Sequence, residues 1–271
     1  MIKFWLIALV VANVGFVGPQ LEAAHSPRKG AFLTVFGGDR LRAKHASSHI
    51  RNDLDPNVER YYVYVPSAYT GSESYGLIVF TDADSQAIGL PASWQAALDT
   101  RKYIYVAAQN AGNDQPQDRR LGLAVLGALK AMGQYNIDPT PVYAAGFSGG
   151  ARMAGLLGFY ESDIFHGTIQ ICGADFYARV PIVAATSQLD TEGQPYGMFR
   201  ATQQEISNAR AVHFALVTGT DDFRRGNILD IFHGGFERLG FHARIFDIRG
   251  MGHAICDGDV LSRVLNFLEA R

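Results

Sequence analysis

The chain has 271 residues, of which 24 are Lys or Arg and 26 are Asp or Glu, giving a formal charge of −2. With 48% hydrophobic residues it can fill a large core, which excludes an intrinsically disordered chain. The near-balanced charge argues against a protein whose main task is gripping phosphate backbones, and two Cys make neither a disulfide scaffold nor a four-Cys zinc site.

In chain order, Met1-Ile2-Lys3 is a short positive start, Phe4 to Val17 is an apolar run interrupted only at Asn13 and Gly15, and Ala23 and Ala24 are small. That is the layout of a secretory signal peptide, and the run is shorter than the roughly 20 apolar residues of a membrane helix. We therefore expect residues 1–24 to be removed and the mature protein to be secreted or periplasmic, with no membrane span. Residues 25–58 read as a polar leader, basic through Arg28, Lys29, Arg40, Arg42, Lys44 and Arg51, with room for a short strand at Phe32–Phe36.

From residue 59 to the end the pattern alternates. Strands are expected at Tyr61–Val65, Leu77–Phe80, Tyr103–Ala107, Val142–Ala145, Thr168–Ile171, His213–Thr218 and Ala243–Ile248. Several are short, unbroken apolar runs, as in parallel strands covered on both faces. Between them lie helical faces. Leu121, Val125, Leu126 and Leu129 share one, Met153, Leu156, Leu157 and Tyr160 another, and Val260, Leu261, Val264, Leu265 and Leu268 a third near the C-terminus. Gly234-Gly235 marks an irregularity in a further helix. The expectation is an α/β domain, a mostly parallel sheet with helices on both faces.

Chemistry in such sheets gathers at the carboxyl ends of strands. Gly146-Phe147-Ser148-Gly149-Gly150 stands directly after one strand and before one helix. A sharp turn there projects the Ser hydroxyl over the sheet, and the flanking glycines remove side chains that would collide. The motif alone is weak; its strand–turn–helix setting strengthens it. A serine nucleophile needs a base, and the base needs an orienting acid. Gly219-Thr220-Asp221-Asp222 ends a later strand, and Arg249-Gly250-Met251-Gly252-His253 ends the last one. The order Ser, Asp, His on one rim carries more weight than the pentapeptide. The other seven histidines read as surface or packing residues.

With these residues the chain resembles the α/β-hydrolases, in the style of secreted esterases of the feruloyl-esterase and polyhydroxyalkanoate-depolymerase-like group. The resemblance runs from about Arg60 to the C-terminus. It is carried by Tyr61–Pro66, the Gly-x-Ser-x-Gly elbow, the Gly-Thr-x-Asp turn and the Gly-His loop. It implies Ser148 as nucleophile, His253 as base and Asp222 as acid, with Asp221 the fallback. It also implies an oxyanion hole of backbone N–H groups from Gly149 and from Asp82 or Ala83. The chain departs from the His-Gly-Gly of many esterases, because Leu77–Phe80 runs into Thr81-Asp82-Ala83-Asp84-Ser85.

The implied activity is hydrolysis of a small-molecule or polymer-linked carboxylic ester, without cofactor, metal or nucleic acid. A serine peptidase of the same fold and an inactive hydrolase-fold binder are the alternatives. In that fold Cys172 and Cys256 fall in rim loops, which invites a disulfide bracing the His253 loop in an exported protein. Gly173–Arg210, with Phe176, Tyr177, Tyr196, Met198 and Phe199, is expected either to line an acyl or aryl pocket or to form a satellite core. Trp94 is expected to pack on a helix after the Asp82–Leu90 loop.

Overall fold

The computed structural model of the protein describes residues 28–40, 49–86, 89–181 and 199–270. The expected signal peptide, Tyr196 and Met198 lie outside these residues.

The eight strands described are β1 (Gly30–Val35), β2 (Arg60–Val65), β3 (Tyr75–Thr81), β4 (Tyr103–Ala108), β5 (Ile137–Phe147), β6 (Gly167–Ile171), β7 (His213–Asp221) and β8 (Ala243–Gly252). They form one sheet in the order β1-β2-β4-β3-β5-β6-β7-β8. β1 pairs antiparallel with β2, and β2 with β4; every other pairing is parallel. Among the described residues six α-helices accompany the sheet: α1 (Gln95–Arg101), α2 (Gln117–Gln134), α3 (Gly149–Tyr160), α4 (Gln203–Asn208), α5 (Arg225–Ile231) and α6 (Gly258–Glu269).

Strand side chains alternate between two cores, as the two-residue period requires. Leu77, Val79, Ile104, Val106, Val142 and Ala144 join the helical residues of α2, α3 and α5 on one face. Ile78, Phe80, Tyr105, Ala107, Tyr143 and Ala145 meet α1 and α6 on the other. All seven residues of β3 are buried, which is why it reads as an unbroken apolar run. Trp94 is fully buried just before α1, and its indole N–H donates to the Cys256 carbonyl at 2.7 Å. After α5, residues Phe232–Glu237 make a π-helical turn that contains Gly234-Gly235.

The chain departs from its sequence reading in two places. The segment taken as a leader is partly inside the fold: β1 extends the sheet, and Phe32, Ile50 and Leu54 are buried in the core. The short strand expected at Phe32–Phe36 is present as β1, with Phe32 facing inward and Ala31, Leu33 and Val35 exposed. Strands also run further than their apolar stretches. β7 and β8 continue to Asp221 and Gly252 through a register shift that sets those two residues opposite each other. Backbone pairing holds this last turn, with polar side chains that no hydrophobic pattern reveals.

Candidate active site

The sheet alone brings the candidate residues together. Ser148 follows β5, Cys172 follows β6, Asp222 follows β7 and His253 follows β8, each at the carboxyl end of a parallel strand. Because Asp221 pairs with Gly252, the next residues, Asp222 and His253, leave the sheet side by side.

Ser148 sits between β5 and α3 with φ 54° and ψ −116°. That left-handed conformation costs a non-glycine residue about 1–3 kcal/mol. The surroundings enforce it. The Ser148 N–H donates to the Ile171 carbonyl at 2.8 Å, and the start of α3 lies directly on the end of β3. A Cβ on Gly150 would run into the Thr81 carbonyl, and one on Gly149 into the Asn113 side chain. Gly149 and Gly150 open α3, so their N–H groups have no acceptor within the helix.

His253 Nε2 lies 3.0 Å from Ser148 Oγ, and its Nδ1 lies 2.7 Å from Asp222 Oδ1. The imidazole is flanked by Phe147, with ring centroids 5.1 Å apart, and by the exposed ring of Phe223, at 4.3 Å. Asp222 is buried, which by itself would raise its pKa. Hydrogen bonds from the Arg224 N–H at 3.0 Å, from His253 and from Thr218 Oγ1 at 2.8 Å outweigh burial and hold the carboxyl below its ordinary value. Asp221, the fallback acid, is exposed and accepts from Thr220 Oγ1 at 3.0 Å.

At the other wall, the expected Ala83 donor is turned away. The Ala83 N–H donates to Asp82 Oδ1 at 2.7 Å, and the Asp84 N–H reaches the same oxygen at 3.3 Å. The Asp82 carboxylate thus caps its own turn; burial raises its pKa despite these bonds. The Asp82 backbone stays beside the elbow, under Gly150. The Asn113 backbone N–H donates to the Ala83 carbonyl at 2.8 Å, and the Asn113 carboxamide lies against Gly149.

Both cysteines are buried free thiols, so the expected bridge is not formed. Cys172 Sγ points at the Gly252 and Ala254 carbonyls, 3.8 and 3.4 Å away, while Cys256 lies in the α6 core. Burial first, then the Asp222 charge, pushes the Cys172 thiol far up, so it packs under the His253 loop as a neutral group. The donor atoms of Cys172, Asp222 and His253 lie within 4.8 Å of one another, a separation that could hold a metal ion. Here they are already joined in hydrogen bonds.

The described aromatics of Gly173–Arg210 form a satellite core. Phe176, Tyr177 and Phe199 pack around Phe159, with Phe236 and Phe241, away from Ser148. Among the described residues no helix is long and apolar enough to cross a membrane.

No protein-family model and no curated protein matches the chain. Solved structures do. Esterase Est22 aligns with a TM-score of 0.58 at 15% identity, over 81% of this chain and 78% of that one. A ferulic acid esterase aligns at 0.57 and 16%, over 89% and 98%. A hyperthermophilic esterase from the archaeon Pyrobaculum calidifontis aligns at 0.54 and 14%, over 78% and 79%. The chain has the α/β-hydrolase fold. The strained strand–turn–helix at Ser148 has the geometry of a nucleophile elbow. Asn113, Arg120, Arg152 and Phe223, all beside it, escaped the sequence reading. A signal for two of them existed: Arg120 and Arg152 are basic residues in the first turns of helices, where basic residues are disfavoured.

Proposed function

We propose that the protein is an exported serine hydrolase that cleaves carboxylic esters through an acyl-enzyme. The observation that carries this reading is the hydrogen-bonded line Asp222–His253–Ser148, 2.7 and 3.0 Å, ending on a strained serine at a helix start. His253 Nε2 takes the Ser148 proton as Oγ attacks the ester carbonyl. The proton then passes to the departing alcohol, and the acyl group stays on Oγ. A water, deprotonated by the same nitrogen, releases the acid and restores Ser148. Asp222 stays ionised, fixes the imidazole through Nδ1 and stabilises its positive charge.

The developing oxyanion takes hydrogen bonds from the Gly149 N–H and, in our reading, from the Asn113 amide. Asn113 replaces the Ala83 donor, whose N–H is held by Asp82. The nearness of Asn113 to Gly149 supports this role. Esterase structural neighbours support the ester reading, and a dipeptidyl aminopeptidase IV that aligns over 89% of this chain and 35% of that one keeps the peptidase as the second reading. Export rests on residues 1–24 alone, and N-terminal sequencing of protein recovered outside the cytoplasm tests it.

The direct test of function is p-nitrophenyl acetate hydrolysis by wild type and Ser148→Ala. We expect turnover by the wild type and its loss, by about 10⁴-fold or more, in the folded variant. Equal turnover would refute the reading. Casein cleavage without ester cleavage would point to the peptidase, and a folded wild type inert to both to the binder.

A further inference from the structure

The cavity beside Ser148 is lined for charge more than for hydrocarbon. It measures about 320 Å³, with Ser148 and Gly149 on one wall. Arg120, Arg152 and Arg224 line it with the amides of Asn113, Gln115 and Gln117. Met153 and Phe223 are its apolar side chains, and among the described residues no acid lines it.

Arg120 is held at high cost. Arg120 is 6% exposed, and its Nε and Nη2 donate to the Ala111 and Asp82 carbonyls at 2.7 and 3.0 Å. Both partners are neutral; Asp114 and Asp82 favour the cation only through space. Burial first, then the nearby Arg152 charge, pushes the Arg120 pKa down to about 10. Arg152 is fixed at the wall by Nε to buried Asp175 at 2.6 Å. Arg120 and Arg152 are each the fourth residue of their helices, α2 and α3, where the helix dipole opposes a cation. Arg224 stacks over the Phe223 ring at 5.1 Å. Arg152 is paired with Asp175, whereas the side-chain bonds of buried Arg120 go to neutral carbonyls, so a cavity lined by three arginines and, among the described residues, by no acid is complementary to an anion.

We propose that this cavity binds an anionic group, carboxylate or phosphate, so that the ester cleaved at Ser148 carries negative charge beside the scissile bond. The inference rests on the esterase reading and names its substrate class. Arginine forks suit both anions, because each accepts paired N–H donors.

Two matched pairs of esters test it. p-Nitrophenyl hemiglutarate against p-nitrophenyl pentanoate puts the charge on the acyl side. Acetoxyethyl phosphate against methoxyethyl acetate puts it on the alcohol side. Wild type should favour the charged member of at least one pair by about tenfold in kcat/KM at low salt, the worth of a charge-assisted contact. That preference should shrink as salt approaches about 1 M. Arg152→Gln combined with Arg224→Gln should lower kcat/KM for the charged ester about tenfold more than for its neutral match. Equal use of both members of both pairs, with Ser148-dependent hydrolysis intact, overturns the anion site and leaves the esterase reading standing. If no ester is cleaved, the esterase reading fails, and calorimetry with glutarate and inorganic phosphate decides the site alone. Saturable binding weakened in the double variant supports it; absence of binding overturns it.

Discussion

The ends of β5 and β3 lie side by side, with Thr81 opposite Gly146, and they are built in opposite ways. At the end of β5 the backbone is strained, Ser148 takes φ 54°, and glycines let α3 press onto the neighbouring strand. At the end of β3 nothing comparable is seen: Asp82 folds its carboxylate back and satisfies the Ala83 and Asp84 N–H groups. One strand end opens a helix with N–H groups that have no acceptor within it, and the other spends the N–H groups of Ala83 and Asp84 on the Asp82 carboxylate. An oxyanion hole needs donors that are fixed and unspent before the reaction. In the proposed mechanism the work at the β3 end falls to Asn113, whose backbone N–H is bonded to the Asp82 turn.

The largest expected effect breaks the line that serves the β5 end. Asp222→Asn should lower kcat by about 10⁴, the size found when the orienting acid of a triad is neutralised, with the fold unchanged by circular dichroism. A fall under tenfold would mean that His253 is oriented by another group.

Next in size is the donor at the β3 end. Asn113→Ala should lower kcat about 10²–10³-fold with KM little changed, as for loss of one oxyanion donor. A KM effect alone would make Asn113 a substrate contact, and the β3 end would then need its donor from the Asp82 backbone.

The smallest effect concerns Asp82 itself. Its carboxyl is raised by burial, so its protonated form is favoured in the folded chain. Its contribution to stability is therefore full below the ordinary carboxyl pKa and lost as pH rises through the raised one. Asp82→Asn keeps an oxygen for the turn and removes the buried charge. Denaturant midpoints at pH 4 and pH 7 should show the variant gaining on wild type at the higher pH; a variant that loses ground there would show that the charge is needed.

Much of this architecture is legible from the sequence. The buried β3 run, the alternating helices and the Gly146–Gly150 turn all follow from hydrophobic period and glycine spacing. Asp222 and His253 are legible as strand-end residues in Ser, Asp, His order and from the Gly-Thr-x-Asp and Gly-His motifs; their contact depends on the β7–β8 register shift, which no periodicity encodes. Asn113 lies in a polar stretch with no period, between β4 and α2. Arg120 shares its helix with Leu121 and Val125 and looks solvent-facing by type, yet it is buried. The cysteines misled because a bridge depends on the separation and direction of two Cα–Cβ bonds, which sequence proximity to a shared rim does not supply. β1 is legible as the short strand expected at Phe32–Phe36, but its place in the sheet beside β2 is not.

The central claim is that Ser148 is an activated nucleophile with open donors beside it. Labelling the folded wild-type protein with a fluorophosphonate and locating the adduct by peptide mass spectrometry tests this most directly. The account predicts one adduct, on Ser148, abolished in Ser148→Ala and slowed in Asp222→Asn. A folded protein that takes no label, or takes it on another serine, would contradict it.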